Sequence, residues 1–225
     1  MNEKKPIRSK QNDGGATVGK FSVGLGLFDY INPLFYGVTS VTVLTGLHGV
    51  MAPALFRLYL VGAVLSLVFG LAIPTVKLIV GLGIMPFKMP VGLVSYVNTG
   101  ILLSGIALLS HVVGLGLPAL AAVLVVAAGV IVFLWRKTGK FNTAAVLIGA
   151  VGYLMLYVSL IVLSLRAGQG WPVALYALAI CLFVFLCLVG ILGDLKNARV
   201  HWVIEIANVV CQGSVAVATL LLLCR

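Results

Sequence analysis

Apolar runs long enough to cross a hydrocarbon core of about 30 Å recur along this chain, separated by short segments carrying proline, glycine or charge. Their pattern predicts seven membrane-spanning helices, at 33–50, 54–74, 90–113, 118–135, 142–165, 172–192 and 200–223. Pro33, Pro53, Pro90, Pro118 and Pro172 each stand at the head of such a run, where a missing N–H costs nothing and a fixed φ suits the first turn. Asn142 and Asn197 are the expected caps where no proline serves, and Asp29 and Asn32 before Pro33 are read as capping the first span, with cation binding as their alternative. Residues 1–20 read as a disordered, basic cytoplasmic tail, and 21–225 as a single transmembrane helical domain. "FSVGLGLFDY" is apolar but too short to cross and is expected to lie at the interface. The stretch 75–89, broken by Pro74, Lys77, Pro86 and Lys88, predicts that the second span kinks or ends near Pro74, the remainder being interfacial or re-entrant with Lys77 reaching toward headgroups.

Composition agrees with this reading. The 225 residues are 62% hydrophobic and 9% charged, with a mean hydropathy of +1.21. That is far from the roughly one quarter charged that is usual in soluble domains. The excess of 15 Lys and Arg over 5 acidic residues lies between the apolar runs, so it reads as a topology signal and not as a surface for nucleic acid. With the N-terminus cytoplasmic, every cation except Arg57, Arg166 and Arg225 falls on the cytoplasmic side, and an odd number of spans leaves the C-terminus outside. The expected location is the plasma (cytoplasmic) membrane. Trp135, Trp171 and Trp202 sit at predicted boundaries, where aromatic anchors belong. Glycines within the spans, among them Gly62, Gly100, Gly105, Gly129, Gly149 and Gly152, predict close helix–helix packing in a compact bundle.

The seventh span carries the chemistry. His201, Glu205, Asn208 and Gln212 are spaced four, three and four residues apart, and Thr219 follows seven later, so all five share one helical face. A carboxylate and two amides are costly against acyl chains, so this stripe is expected to face the bundle interior, a water-filled cavity or a partner protein. The competing reading leaves Glu205, three residues past Trp202, near the cytoplasmic interface, hydrated or paired with Arg199 or another cation. Candidate partners for the stripe are Tyr36, Thr39, Ser40, Thr42 and Thr45 on the first span, Ser95, Asn98 and Thr99 on the third, and Tyr153 and Tyr157 on the fifth. Each Ser or Thr has the alternative of bonding back to its own helix.

Other chemistries are thin. Cys181, Cys187, Cys211 and Cys224 lack metal or redox spacing and read as small apolar side chains. His48 and His111 end their spans on one side without a ligand motif, so interfacial histidines are expected in place of haem or metal ligands, and no cofactor is expected. Neither a nucleophile motif nor a nucleotide-binding glycine pattern is present, which argues against an enzyme. The seventh span contains no lysine for a retinal Schiff base. The reading is therefore an all-α, polytopic membrane bundle that moves a small ion, proton or polar solute through a polar interior, with Glu205, Asn208, Gln212, His201, Thr39, Thr42, Asn98, Tyr153 and Tyr157 as candidate site residues. The alternative is a non-catalytic subunit or scaffold of a larger complex. Its environment is membrane lipid, and its partners would be other membrane subunits or a second copy of the chain.

Overall fold

The computed structural model describes residues 23–84, 91–138, 141–192 and 198–224. They form eight helices: α1 (Val23–Asp29), α2 (Ile31–Gly46), α3 (Pro53–Gly81), α4 (Val91–Val113), α5 (Leu117–Thr138), α6 (Phe141–Arg166), α7 (Gly170–Leu192) and α8 (Ala198–Leu223). Six of them, α3 to α8, are long and apolar enough to cross a membrane. The chain is a multi-pass integral membrane protein built as a helical bundle. Large apolar side chains point outward along it, Val125, Val126 and Phe133 on α5 among them, where a soluble fold would expose charge.

Six predicted spans recur with ends shifted by a few residues, except at the end of the second. The first is shorter than expected, for α2 has 16 residues and a length of about 24 Å at 1.5 Å per residue. Pro33 accounts for its start: without an N–H it leaves the Asp29 carbonyl with no helical partner, and the chain breaks into α1 and α2 around Tyr30. Even so, α2 lies along α8 from Asn32 beside Glu205 at one end to Gly46 against Leu223 at the other. Its residues therefore cover the same depth as that span.

The end of α3 departs from expectation. The helix does not stop at Pro74; it runs 29 residues to Gly81 with Pro74 inside and buried. The residue four back, whose carbonyl the proline ring crowds, is Gly70, itself packed on Pro33 of α2. Beyond the proline the helix is held by tertiary contacts. Leu78 packs on Gly26 of α1, and Thr75 shares a 2.7 Å hydrogen bond with the Tyr30 hydroxyl. Residues 85–90, the rest of the expected re-entrant stretch, lie outside the described residues, as do the tail, Asn197 and the side chain of Asn142.

The helices α2, α3, α4, α6, α7 and α8 follow one another round a closed ring, while α5 leans on the outside against α6. On one side of this ring small residues set the spacing. Gly62 and Ser66 of α3 face Gly100 and Ser104 of α4 reciprocally: a Cβ on Gly62 would lie 2.5 Å from the Gly100 carbonyl, and one on Gly100 2.5 Å from that of Gly62. Gly105 of α4 meets the Gly152 carbonyl of α6 equally closely. Without a hydrophobic driving force between helices in lipid, such backbone approach is what holds them together. Gly129, on α5, has nothing near it, so the expectation of close packing fails at that position.

Gly100→Ala is therefore expected to cost about 1–3 kcal/mol by overpacking. Gly129→Ala is expected to be neutral or slightly stabilising through helix propensity. Thermal unfolding of the two variants in mild detergent checks this, and equal midpoints would show that the α3–α4 contact does not set stability.

Candidate functional site

The stripe on α8 begins inside the bundle. Glu205 is 7% exposed, and its carboxylate meets two elements that approach from different parts of the chain. The Lys77 ammonium of α3 donates to Glu205 Oε1 at 3.3 Å and to Asp29 Oδ2, at the end of α1, at 2.6 Å. Asn32 of α2 closes the group: its Nδ2 donates to Glu205 Oε2 at 3.1 Å and to Asp29 Oδ1 at 3.3 Å. Four elements thus meet at two carboxylates, one ammonium and one amide. The Lys77 side chain is only 13% exposed, so the charges are compensated by one another more than by solvent.

This geometry corrects three expectations. Lys77 does not reach out toward headgroups, because the continuation of α3 past Pro74 turns it onto the two carboxylates. Asp29 and Asn32 do not cap α2, whose N-cap position is Tyr30 and has no side-chain cap bond; Asn32 lies within the helix and spends its amide on the carboxylates. A hydrated Glu205 also gives way, since the carboxylate is buried and paired with a cation of another helix, Lys77. The local layer still lies toward one end of the bundle, where Trp202 packs on Phe28 at 5.7 Å between ring centres.

Behind the ion pairs lies a partly open cavity of about 140 Å³ lined by α1, α2, α3, α4, α6 and α8. Asn208 and Gln212, the next two members of the stripe, line it, as do Asp29, Asn32, Tyr36 and Tyr153. Apolar side chains of α3 and α4 complete the wall, with Ser66 between them. Gln212 is buried and donates to the Tyr157 hydroxyl at 3.4 Å, and that hydroxyl also lies 3.7 Å from Cys211 Sγ. Tyr153 stacks on Tyr157 and Phe183. The expected juxtaposition of the α8 stripe with Tyr153 and Tyr157 is thus present.

Polarity continues deeper. The Tyr36 hydroxyl is 3.2 Å from Ser104 Oγ, which lies 3.5 Å from the Tyr59 carbonyl. Tyr176 of α7 and Thr219, the last member of the stripe, share a 3.0 Å hydrogen bond, both fully buried. By contrast Thr39, Thr42 and Thr45 donate to the carbonyls of Phe35, Val38 and Val41 on their own helix, so they face inward or outward without contributing a free donor. Asn98 sits against Gly149 at the α4–α6 contact and is absent from the cavity wall. The side chain of His201 lies outside the described residues. His48 packs edge-on against Phe56, and among the described residues no group of three or more His, Cys, Asp or Glu is close enough to hold a metal ion.

From sequence, Asp29 and Asn32 are caps first and cation binders second, and Lys77 has no site role, yet counting charges could have found the ion pairs. Of five acidic residues only Asp29 and Glu205 fall within apolar segments, and Lys77 is one of several cations, Arg57 and Lys88 among them, that stand between apolar residues. A charge within the bilayer needs a partner, and these are the ones available. Comparisons with protein-family models, curated proteins and solved structures return no match. Fold and site together define a multi-pass membrane bundle with a charged, partly hollow interior.

Lys77→Met leaves two carboxylates facing each other and is expected to lose about 3–5 kcal/mol, the usual effect of removing one partner from a buried ion pair. Adding Asp29→Asn and Glu205→Gln removes the uncompensated charge, and most of that stability should return. Unfolding midpoints in detergent test both; a single variant as stable as wild type would show that Lys77 compensates nothing.

Proposed function

We propose that this chain is a transport protein of the cytoplasmic membrane, N-terminus inside, moving a small ion, a proton or a small polar solute through the interior of the helix ring. The observation that carries the reading is the cavity between the ion-paired Asp29, Lys77 and Glu205 and the amides of Asn208 and Gln212. A bilayer penalises unpaired polarity, so a carboxylate and three amides at the edge of a hollow in a bundle this apolar are expensive unless something polar meets them. The volume suits a few waters, a bare ion or a very small solute.

Roles follow from position. Glu205 is the charge-handling group, because its partner Lys77 is on another helix and can part from it without disrupting either backbone. Asn208 and Gln212 offer donors and acceptors to whatever enters, and Tyr36, Ser66 and Tyr153 supply hydroxyls on the facing wall. The Tyr36–Ser104 and Tyr176–Thr219 contacts extend polar groups toward the far ends of α7 and α8. Orientation rests on the cation distribution, with Arg57 and Arg166 at one end of the bundle and Lys77, Arg136 and Lys137 at the other.

Reconstituted into liposomes, the wild-type protein is expected to dissipate an imposed proton or alkali-cation gradient, or to admit a small polar solute, faster than protein-free vesicles. Glu205→Gln and Gln212→Leu should each slow that flux by about tenfold or more, the loss expected when a transition-state interaction of roughly 1.4 kcal/mol is removed. Flux unaltered by both substitutions, or equal to that of empty vesicles, sinks the reading.

A further inference from the structure

The polar contacts around Lys77 leave two accounts open at the same place. Asp29 and Glu205 bring two negative charges to one ammonium, so this group of described residues carries one uncompensated charge. Asn32, 8% exposed, uses its amide nitrogen on both carboxylates, and its Oδ1 is buried with no hydrogen bond. Asn32 and Asp29 both line the cavity, together with Tyr36 and Ser66. A buried carbonyl oxygen without a donor and a carboxylate in excess of its counter-charge call for the same thing, a positive charge with no hydrogen-bond acceptor of its own.

We propose that the cavity side of this group is a binding site for one small monovalent metal cation, held by the Asp29 carboxylate and Asn32 Oδ1. Resting on the transport reading, this names the class of its substrate or coupling ion. Charge balance among the described residues selects a monovalent ion: with it in place Lys77 pairs with Glu205 and the cation with Asp29, two neutral pairs where there was one pair and a surplus negative charge. Oxygen ligands from carboxylate, amide and hydroxyl groups suit a hard cation. Lys77 is then the resident counter-charge that holds Asp29 when the ion is away, at 2.6 Å, and releases it on binding. Glu205 acts through charge and through Lys77, as a positioning residue and not as a ligand.

The full chain in mild detergent at constant ionic strength provides the test, with lithium, sodium or potassium chloride replacing the chloride of a bulky organic ammonium ion. At least one alkali ion is expected to raise the unfolding midpoint of the wild type along a saturating curve, as a ligand selective for the native state must. Glu205→Gln and Asp29→Asn should each weaken that response by about tenfold or more, and Lys77→Met, which leaves both carboxylates bare, should strengthen it by about tenfold. Equal midpoints in every salt, or a response that survives both carboxylate variants, overturns the site and leaves water as the partner of Asn32. A saturating cation response in a protein without flux keeps the site and removes the transport reading. Flux of a solute or proton that is indifferent to alkali ions does the reverse.

Discussion

Lys77 lies between two carboxylates that could not otherwise share the inside of an apolar bundle, and most of the architecture near it follows from that contact. Asp29 is the last residue of the seven-residue α1, and Glu205 belongs to the final span. To reach both, α3 has to remain helical past Pro74 to Lys77, and it continues for about two turns in all, to Gly81. Those two turns in turn give α1 a surface to pack on, Gly26 against Leu78, and bring Tyr30 to Thr75. A proline that would end a free helix is tolerated where neighbouring elements hold what comes after it.

The ring of helices is accordingly built in two manners. Between α3 and α4, and between α4 and α6, glycines and serines bring backbones into contact and leave no room. Where α2 and α8 complete the ring, amides and tyrosines face across a gap, and the cavity lies there. Close small-residue contacts are stiff, because moving either helix forfeits many short van der Waals contacts at once. Side chains that meet through single hydrogen bonds can exchange partners at far less cost. The division places α1, α2 and α8, joined to Lys77 through side-chain polar contacts, beside α3, α4 and α6, joined through backbone approach.

Much of this was legible in the chain. Hydropathy and proline position located the long helices, and Pro53 is the first residue of α3 as expected. The four-three-four spacing from His201 to Gln212 put Asn208 and Gln212 on the face that lines the cavity, because in lipid a polar helical face has few places to go. What failed was local reasoning about Pro74, Asp29 and Asn32. Propensity says what a proline does to an isolated helix, and Asn before Pro says cap; neither rule contains the partner 128 or 173 residues away that decides the matter. The threonines of α2 failed for another reason. A hydroxyl in a helix can always be satisfied by the carbonyl four residues back, so its presence on an inward face carries little information, whereas a tyrosine hydroxyl, too far out for that bond, must reach another helix, as Tyr36 and Tyr176 do.

Stability alone gives the charged group no reason to exist. A buried ion pair seldom outperforms well-packed apolar side chains of the same volume, since the desolvation of each charge offsets most of the attraction. In lipid an apolar replacement would carry no penalty at all, and the close contacts of Gly62, Gly100, Gly105 and Gly152 already hold the bundle. Two acids against one base is an even poorer arrangement as glue, because one negative charge is left over whichever way Lys77 leans. Next to a cavity lined by Asn208 and Gln212, the same imbalance is what an entering cation or proton would neutralise, which is why the surplus charge argues for a visitor and against a purely structural role.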